Sequence, residues 1–437
     1  MSTHSPLTAA AEAQLTTLKA EQPSLAAALS DLGRRLVFPQ DIPAQSAEAR
    51  GKRFNATIGQ ITDGHGHALP LPSMAAVVSG MSQAWQDRAF LYSPVEGIPA
   101  VREAWRSWQR RDVADVVPSS LPVVTVGLTH GLSLVADLFG GPGRAVVIPA
   151  PYWGNYNQTF ATRTGARVIS TPAYKDGVYH TRAIAEALEG LPDDEPAVAI
   201  LNLPSNPSGY SLTGDERRQV HESLVEAAGR RPLVVLVDDA YAGLVYDDAV
   251  PRASMFWDLV GAHPNLIPVK VDGATKELSF FGGRVGFVTF PYDRGSAAAL
   301  ILEDKVKCLT RATMGSPVAF SQMMVLEALT HDRLAPAVEE VRQILAERAA
   351  ALAIALEGID HRILRPIPFN SGCFALVQLA PDLGLTSEQV RKHLLAHQDT
   401  GLVSIKPDYV RIAFCSVDKA HIPALVERLE AGVKELR

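Results

Sequence analysis

Between Val123 and Phe290 the chain alternates short apolar, β-branched runs with amphipathic stretches of helical length. The runs are VVTV from Val123, AVVIPAP from Ala145, RVISTP from Arg167, AVAILNLP from Ala197, LVVLVDD from Leu233, LIPVKVD from Leu266 and RVGFVTF from Arg284. Seven such runs, most separated by a helix, predict an α/β fold: a largely parallel seven-stranded sheet covered on both faces. Ligands of such sheets bind beyond the carboxyl ends of the strands. The polar exceptions to the pattern lie at those ends.

The flanks read differently. Residues Pro6 to Leu36 are rich in Ala and Leu at helical spacing and predict one or two helices on the outside, followed by a Pro-containing connector from Phe38 to Gly51. In FNATIGQITDGHGHALPLPSM, Gly59 follows a strand-like alternation, and His65 and His67 sit in a Gly-rich loop. With no third ligand nearby, they are loop histidines and no metal is expected. A helix from Met74 to Gln86 precedes LYSPVEGIPAVREAW, which sets Tyr92 and Gly97 ahead of another helix. After the sheet, Ser296 to Met314 and Pro317 to Ile359 read as long amphipathic helices. The strand GCFALVQL, a helix opened by the capping box Thr386 with Gln389, the strand YVRIAFC and a last helix then make a smaller α/β unit. The expected division is residues 1–70 as an N-terminal part of the small domain, 71–330 as the large domain and 331–437 as the rest of the small one.

A chain of 437 residues exceeds one ordinary core, which agrees with that division. A net charge of −6 without a basic run removes the electrostatic case for nucleic acid. Cys308, Cys373 and Cys415 are odd in number and far apart, giving neither a disulfide framework nor metal-ligand spacing. With no signal-like N-terminus and no apolar run of the roughly 18 to 20 residues a membrane helix needs, a cytoplasmic, unanchored protein is expected.

The chemistry gathers at strand ends. Lys276 follows the sixth run, and Gly282, Gly283 and Arg284 follow it. A lysine amine with a guanidinium fork is the pair a pyridoxal phosphate site needs, although a surface lysine beside a structural arginine would read the same. In GLTHGLSLVADLF a strand runs through Gly127, Thr129 and Gly131 into a helix, making either an anion site or an ordinary tight turn. Tyr152 and Trp153 in IPAPYWGNYNQTF can cover a flat heterocycle or cap a core. LNLPSNPSGYSLT holds Asn206 in a rigid loop before the capping box Thr213 with Glu216. LVVLVDDAYAGLVYDD ends an apolar strand in Asp238, Asp239 and Tyr241, and a carboxylate there is costly unless it meets a cation.

Taken in order, NLPSNPSG, DDAY and TKELSFFGGRVG, with GLTHG, PYWGN and YSPVEG, resemble the class I/II pyridoxal phosphate-dependent aminotransferases of fold type I. TIGQITDGHGHALPLPSM and YSPVEGIPAVREA bring the resemblance nearest to the aspartate and aromatic branch. It implies pyridoxal 5′-phosphate as cofactor, an amino acid and a 2-oxo acid as substrates, and a homodimer with shared sites. It further implies that Lys276 carries the cofactor as a Schiff base and, when freed, moves the proton at the substrate Cα. Asp238 would pair with the pyridine nitrogen, Asn206 and Tyr241 with the phenolic oxygen, and Trp153 with the ring face. Leu128 (through its backbone), Thr129, Thr275 and Arg284 would hold the phosphate, joined by Tyr92 from the neighbouring subunit. Arg411 would fork onto the substrate carboxylate, with Asn206 and Gly59 alongside. Arg311, in TRATMGSP, resembles the arginine that binds a distal carboxylate across the subunit boundary; an arginine ending a surface helix is the alternative.

Two positions depart from the family pattern. Gly273 stands where serine or threonine is usual, and Tyr156 stands where the aromatic branch has a histidine behind the aspartate, which leaves the support of Asp238 open. The outcome of the reaction also stays open between transfer to a 2-oxo acid and β-elimination, β-decarboxylation or cyclisation on the same apparatus. A ligand-sensing module is disfavoured by the retained Lys276 and by the lack of a preceding helix-turn-helix.

Overall fold

The computed structural model describes residues 7–37, 81–113, 116–405 and 407–437. Gly59, His65, His67 and the connector after Phe38 lie outside them. The seven expected strands are present as β1 (Val123–Thr125), β2 (Ala145–Ala150), β3 (Arg167–Pro172), then, after a small hairpin of β4 (Tyr174–Lys175) and β5 (Val178–Tyr179), β6 (Ala197–Asn202), β7 (Leu233–Asp238), β8 (Leu266–Gly273) and β9 (Gly286–Thr289). They join in the order β1-β9-β8-β7-β6-β2-β3. Strands β8, β7, β6, β2 and β3 run parallel, and β9 returns antiparallel to both of its neighbours. Strands β7 and β8 are buried at every position, which is why their sequences are continuous apolar runs rather than alternating ones.

The helices follow local signals. Thr213 and Glu216 close a capping box at the start of Gly214–Ala228, and Thr386 and Gln389 do the same for Ser387–His397. The N-terminal region holds three short helices, Ala9–Glu21, Pro23–Ala28 and Asp31–Arg35, rather than one or two. Pro23 starts a new helix at its first position and Ser30 caps the third. Nor do they lie merely on the outside, since Leu18, Leu25 and Leu29 are buried in the main core. Of the helix expected over Met74 to Gln86, residues 74–80 lie outside the described residues; a helix capped by the Ser82 hydroxyl spans Gln83–Phe90. The stretch from Pro317 to Ile359 splits into Ala319–Thr330 and Leu334–Glu357.

A second, antiparallel sheet has the order β10-β11-β13-β12, where β10 is Leu364–Pro366, β11 Ala375–Leu379, β12 Val403–Ile405 and β13 Tyr409–Ile412. Only β11 and β13 stand out as apolar runs. One apolar cluster runs from Val146 and Leu236 under the large sheet through Leu352 to Ala375 and Val410 in the second. The two sheets therefore share a core, and the site forms where the carboxyl ends of β6, β7 and β8 face β11 and β13.

Candidate active site

Parallel register brings three strand ends level: Asn202 stands beside Asp238, and Asp238 beside Val271. The Asn202 side chain donates to the Asp238 carbonyl (3.0 Å) and accepts from the Asn206 amide (2.7 Å), tying the Asn206 loop to the end of β7. The Asp238 carboxylate accepts the Tyr156 hydroxyl at 2.5 Å and the Ala240 N–H at 3.1 Å. Burial pushes this carboxyl up to about 6, while the Tyr156 bond, the Lys276 charge and the Ala240 N–H pull it back. Tyr156 supplies the support that the missing histidine left open. Its own hydroxyl is held protonated by burial and by the Asp238 charge.

Successive strand residues face opposite sides of a sheet, so Asp239 points away from its neighbour. It meets Lys270 (2.7 Å) and Ser254 (2.6 Å), and Lys270 also meets Asp272 (2.6 Å), which Trp105 and Gln109 hold from the helix Pro99–Gln109. These charges satisfy one another beneath the sheet. Asp238 alone of the two carboxylates is turned to the site.

Beyond β8, Lys276 rides on the single turn Ala274–Glu277, whose Glu277 is buried against Arg111 at 2.6 Å. Burial lowers the Lys276 pKa, Asp238 opposes that, and Arg284 adds to it. Its Nζ lies 5.1 Å from the centre of the Tyr241 ring. Gly273 is forced here: a Cβ would stand 2.5 Å from the Val285 carbonyl oxygen and 2.8 Å from the Gly286 Cα. The side chain usual in the family does not fit this backbone.

Arg284 folds back over the start of the helix Gly127–Phe139, so closely that a Cβ on Gly127 would lie 2.4 Å from its Nη2. A guanidinium against the positive end of a helix is repulsive unless an anion sits between or beside them. Such a corner suits a phosphate, with Thr129 exposed on the same first turn. Thr275 has a buried hydroxyl with no hydrogen-bond partner among the described residues, a donor that a phosphate oxygen would satisfy.

Arg411 enters from the second sheet, opposite Leu376 in the register of β11 and β13. Its Nη1 donates to the Asn206 Oδ1 at 2.8 Å, and its guanidinium lies 4.2 Å from the centre of the Phe374 ring. The Nε is buried and has no partner among the described residues, leaving a donor for a carboxylate.

These elements enclose a cavity of about 290 Å³. Its walls include Leu128, Thr129, Trp153, Asn206, Asp238, Tyr241, Lys276 and Arg411, together with Tyr156, Asn202 and Phe374. Asn202 and Phe374 were missed in the sequence. Asn202 ends an apolar run, which is a readable signal, whereas Phe374 reads as one more core aromatic. Thr275 and Arg284 stand outside the cavity lining. Tyr92 (66% exposed) and Arg311, in the last turn of Ala297–Met314, are both on the surface, and Gly59 is not described.

A profile of the family "Aminotransferase class I and II" matches residues 53–429. The chain belongs to this family. Aspartate aminotransferase of Pyrococcus abyssi is 25% identical over 352 residues, 79% of this chain and 84% of the relative. Aromatic-amino-acid aminotransferase 2 of Thermococcus litoralis has the same identity and the same coverage. An aminotransferase structure from Anaerococcus prevotii superposes with a TM-score of 0.70 over 99% of this chain and 97% of that one, at 19% identity, a likeness of fold. This aminotransferase is a pyridoxal phosphate-dependent transaminase of fold type I. Its site fits the cofactor: a cationic corner at a helix start for the phosphate, a buried carboxylate for a ring nitrogen and an amine between them.

Proposed function

We propose that the enzyme moves the amino group of an L-amino acid, aspartate or glutamate or an aromatic one, to a 2-oxo acid in two half-reactions. The observation that carries this is the convergence of the Lys276 amine, the Asp238 carboxylate and the Arg411 guanidinium on one cavity. The names of the aspartate and aromatic relatives support the substrate class.

Pyridoxal phosphate, when bound, supplies a carbonyl carbon for the amino group and a ring that draws off the electron pair left at the substrate Cα. Lys276 would hold the cofactor through its amine. Once released it would take the proton from the substrate Cα, and burial, which lowers its pKa, favours the neutral amine for that task. Asp238, kept ionised by Tyr156, retains a proton on the ring nitrogen. Asn206 and Tyr241 would orient the ring through its phenolic oxygen, and Trp153 would cover its face. The Leu128 backbone, Thr129, Thr275 and Arg284 would hold the phosphate, with Tyr92 reaching it from a second subunit. Arg411 would bind the substrate α-carboxylate, with Asn206 beside it. The net negative charge and three cysteine thiols support a cytoplasmic enzyme.

The test is Lys276→Ala. It still takes up the cofactor through the phosphate and ring contacts, and turnover drops by several orders of magnitude. Borohydride treatment of the wild-type holoenzyme, followed by peptide mass spectrometry, finds the phosphopyridoxyl group on Lys276. Recovery of the adduct on another lysine would overturn the assignment.

A further inference from the structure

Cys373 and Cys415, remote in sequence, meet behind the cavity. Cys373 lies two residues before β11 and Cys415 three after β13, so both leave the antiparallel ladder at the end set by the Ala375 and Ile412 pair. The paired strand ends bring them into one apolar cluster, near enough for each thiol to act on the charge of the other. Neither is in a disulfide. Cys373 is buried at the edge of the site, close enough for the Lys276 charge to act on it, and its neighbour Phe374 lies under the Arg411 guanidinium. Cys415 is half-buried. Arg348, whose Nη1 donates to the Cys415 carbonyl, and Arg411 both favour its thiolate, while Tyr241 and Tyr246 also face the pair. Cys373 and the two arginines together bring the Cys415 thiol down to about 7, and Cys415 and burial push Cys373 up. A partly accessible thiol, set by the β11–β13 register beside a second thiol and near two arginines, has the chemistry of a reactive and a resolving cysteine.

We propose that Cys415 and Cys373 are a reversible oxidation site, closing to an intramolecular disulfide on reaction with a hydroperoxide. The Cys415 thiolate attacks one peroxide oxygen and the O–O bond breaks, leaving a sulfenic acid on Cys415 and hydroxide, which takes a proton to become water. The Cys373 thiol then attacks the sulfenic sulfur. The S–S bond forms, the S–OH bond breaks, and the Cys373 proton leaves with the hydroxyl as a second water. Two thiols give up two electrons and the peroxide becomes two waters.

The experiment treats the holoenzyme with about one equivalent of hydrogen peroxide and counts thiols after denaturation. The titre falls from three to one per chain, a peptide map links Cys373 to Cys415, and dithiothreitol restores all three thiols. Cys308→Ser leaves the linkage unchanged. With a second equivalent of peroxide, Cys373→Ser lets Cys415 proceed from the sulfenic to the sulfinic acid, because no resolving thiol is present. Loss of Cys308 at the same rate as the pair, a linkage between two chains, or a pair untouched while Cys308 oxidises would each overturn the proposal. A bridge drawing both strand ends together beneath Arg411 also raises KM for the 2-oxo acid at least about threefold with kcat kept, an effect that rests on the role given to Arg411 above. A linkage formed without the KM change would refute that role for the bridge and leave the oxidation site standing.

Discussion

At the scale of single residues the site turns on how Asp238 is kept charged. Its carboxyl rises from 3.8 to about 6 in the folded chain. A carboxyl whose folded pKa lies above its unfolded one binds protons more tightly when folded, so stability falls as pH rises between about 4 and 6 and the deficit is complete above that window. Two units correspond to about 3 kcal/mol. In cofactor-free protein Asp238→Asn therefore unfolds at higher denaturant than wild type at pH 7.5, with the difference vanishing near pH 4. Equal midpoints at pH 7.5 would contradict the cost of burying the charged carboxylate. In the holoenzyme the same substitution removes the partner of the ring nitrogen and slows turnover far more than it weakens cofactor binding. Tyr156→Phe deletes a charge-assisted hydrogen bond of roughly 1.5 to 3 kcal/mol, moving the carboxyl upward by one to two units. Turnover near neutral pH drops about tenfold or more and recovers as pH is raised. An unshifted pH profile would show that Tyr156 only fills space.

At the scale of elements, the backbone explains both what was readable and what was not. The central strands of the large sheet were legible because burial on both faces demands unbroken apolar runs, and Lys276, Asp238 and Asn206 stood out as polar residues beyond or at their ends. Strands β10 and β12 were not, since LRP and VSI are three-residue edge strands with too short a pattern to see. Tyr156 was visible as a departure, yet only the fold brings its hydroxyl to Asp238, 82 residues away. Cys373 and Cys415 likewise needed the β11 to β13 register. Gly273 is the clearest case of a residue dictated by its element: β8 and β9 approach so closely there that restoring the family's serine pushes a Cβ into the Val285 carbonyl. Gly273→Ser lowers the unfolding free energy by roughly 2 kcal/mol or more, read as a shift in denaturant midpoint at constant slope. A variant as stable as wild type would mean that the two strands part easily, and the phosphate corner beside them would be correspondingly soft.

At the scale of the whole molecule the open question is what completes the site. Tyr92 is exposed, and the Ser93 hydroxyl donates to the Pro317 carbonyl at 2.7 Å, which puts Tyr92 on the same surface as the exposed Val318 and the end of the helix carrying Arg311. Phe281, beside the Arg284 turn, is also exposed. Apolar and cationic residues flanking a cavity and left on the surface suit a two-fold interface in which each subunit lends Tyr92 and Arg311 to the other. Sedimentation of the holoenzyme then gives a dimer, and a competent monomer would refute it. If Arg311 meets a distal carboxylate, glutamate or aspartate is favoured over neutral amino acids by roughly 2 to 4 kcal/mol, tens to several hundredfold in kcat/KM. Arg311→Leu erases that preference and leaves aromatic substrates nearly untouched. Co-expression separates a lent arginine from a resident one. A hybrid of Lys276→Ala and Arg311→Leu subunits has one site in which a native Lys276 is served by a native Arg311 from across the interface. A random mixture thus recovers about one quarter of the wild-type dicarboxylate activity per subunit, although the Lys276→Ala homodimer is dead and the Arg311→Leu homodimer has lost its preference. If the hybrid recovers none, Arg311 acts within its own chain, and the shared-site reading falls while the assignment of Lys276 stands.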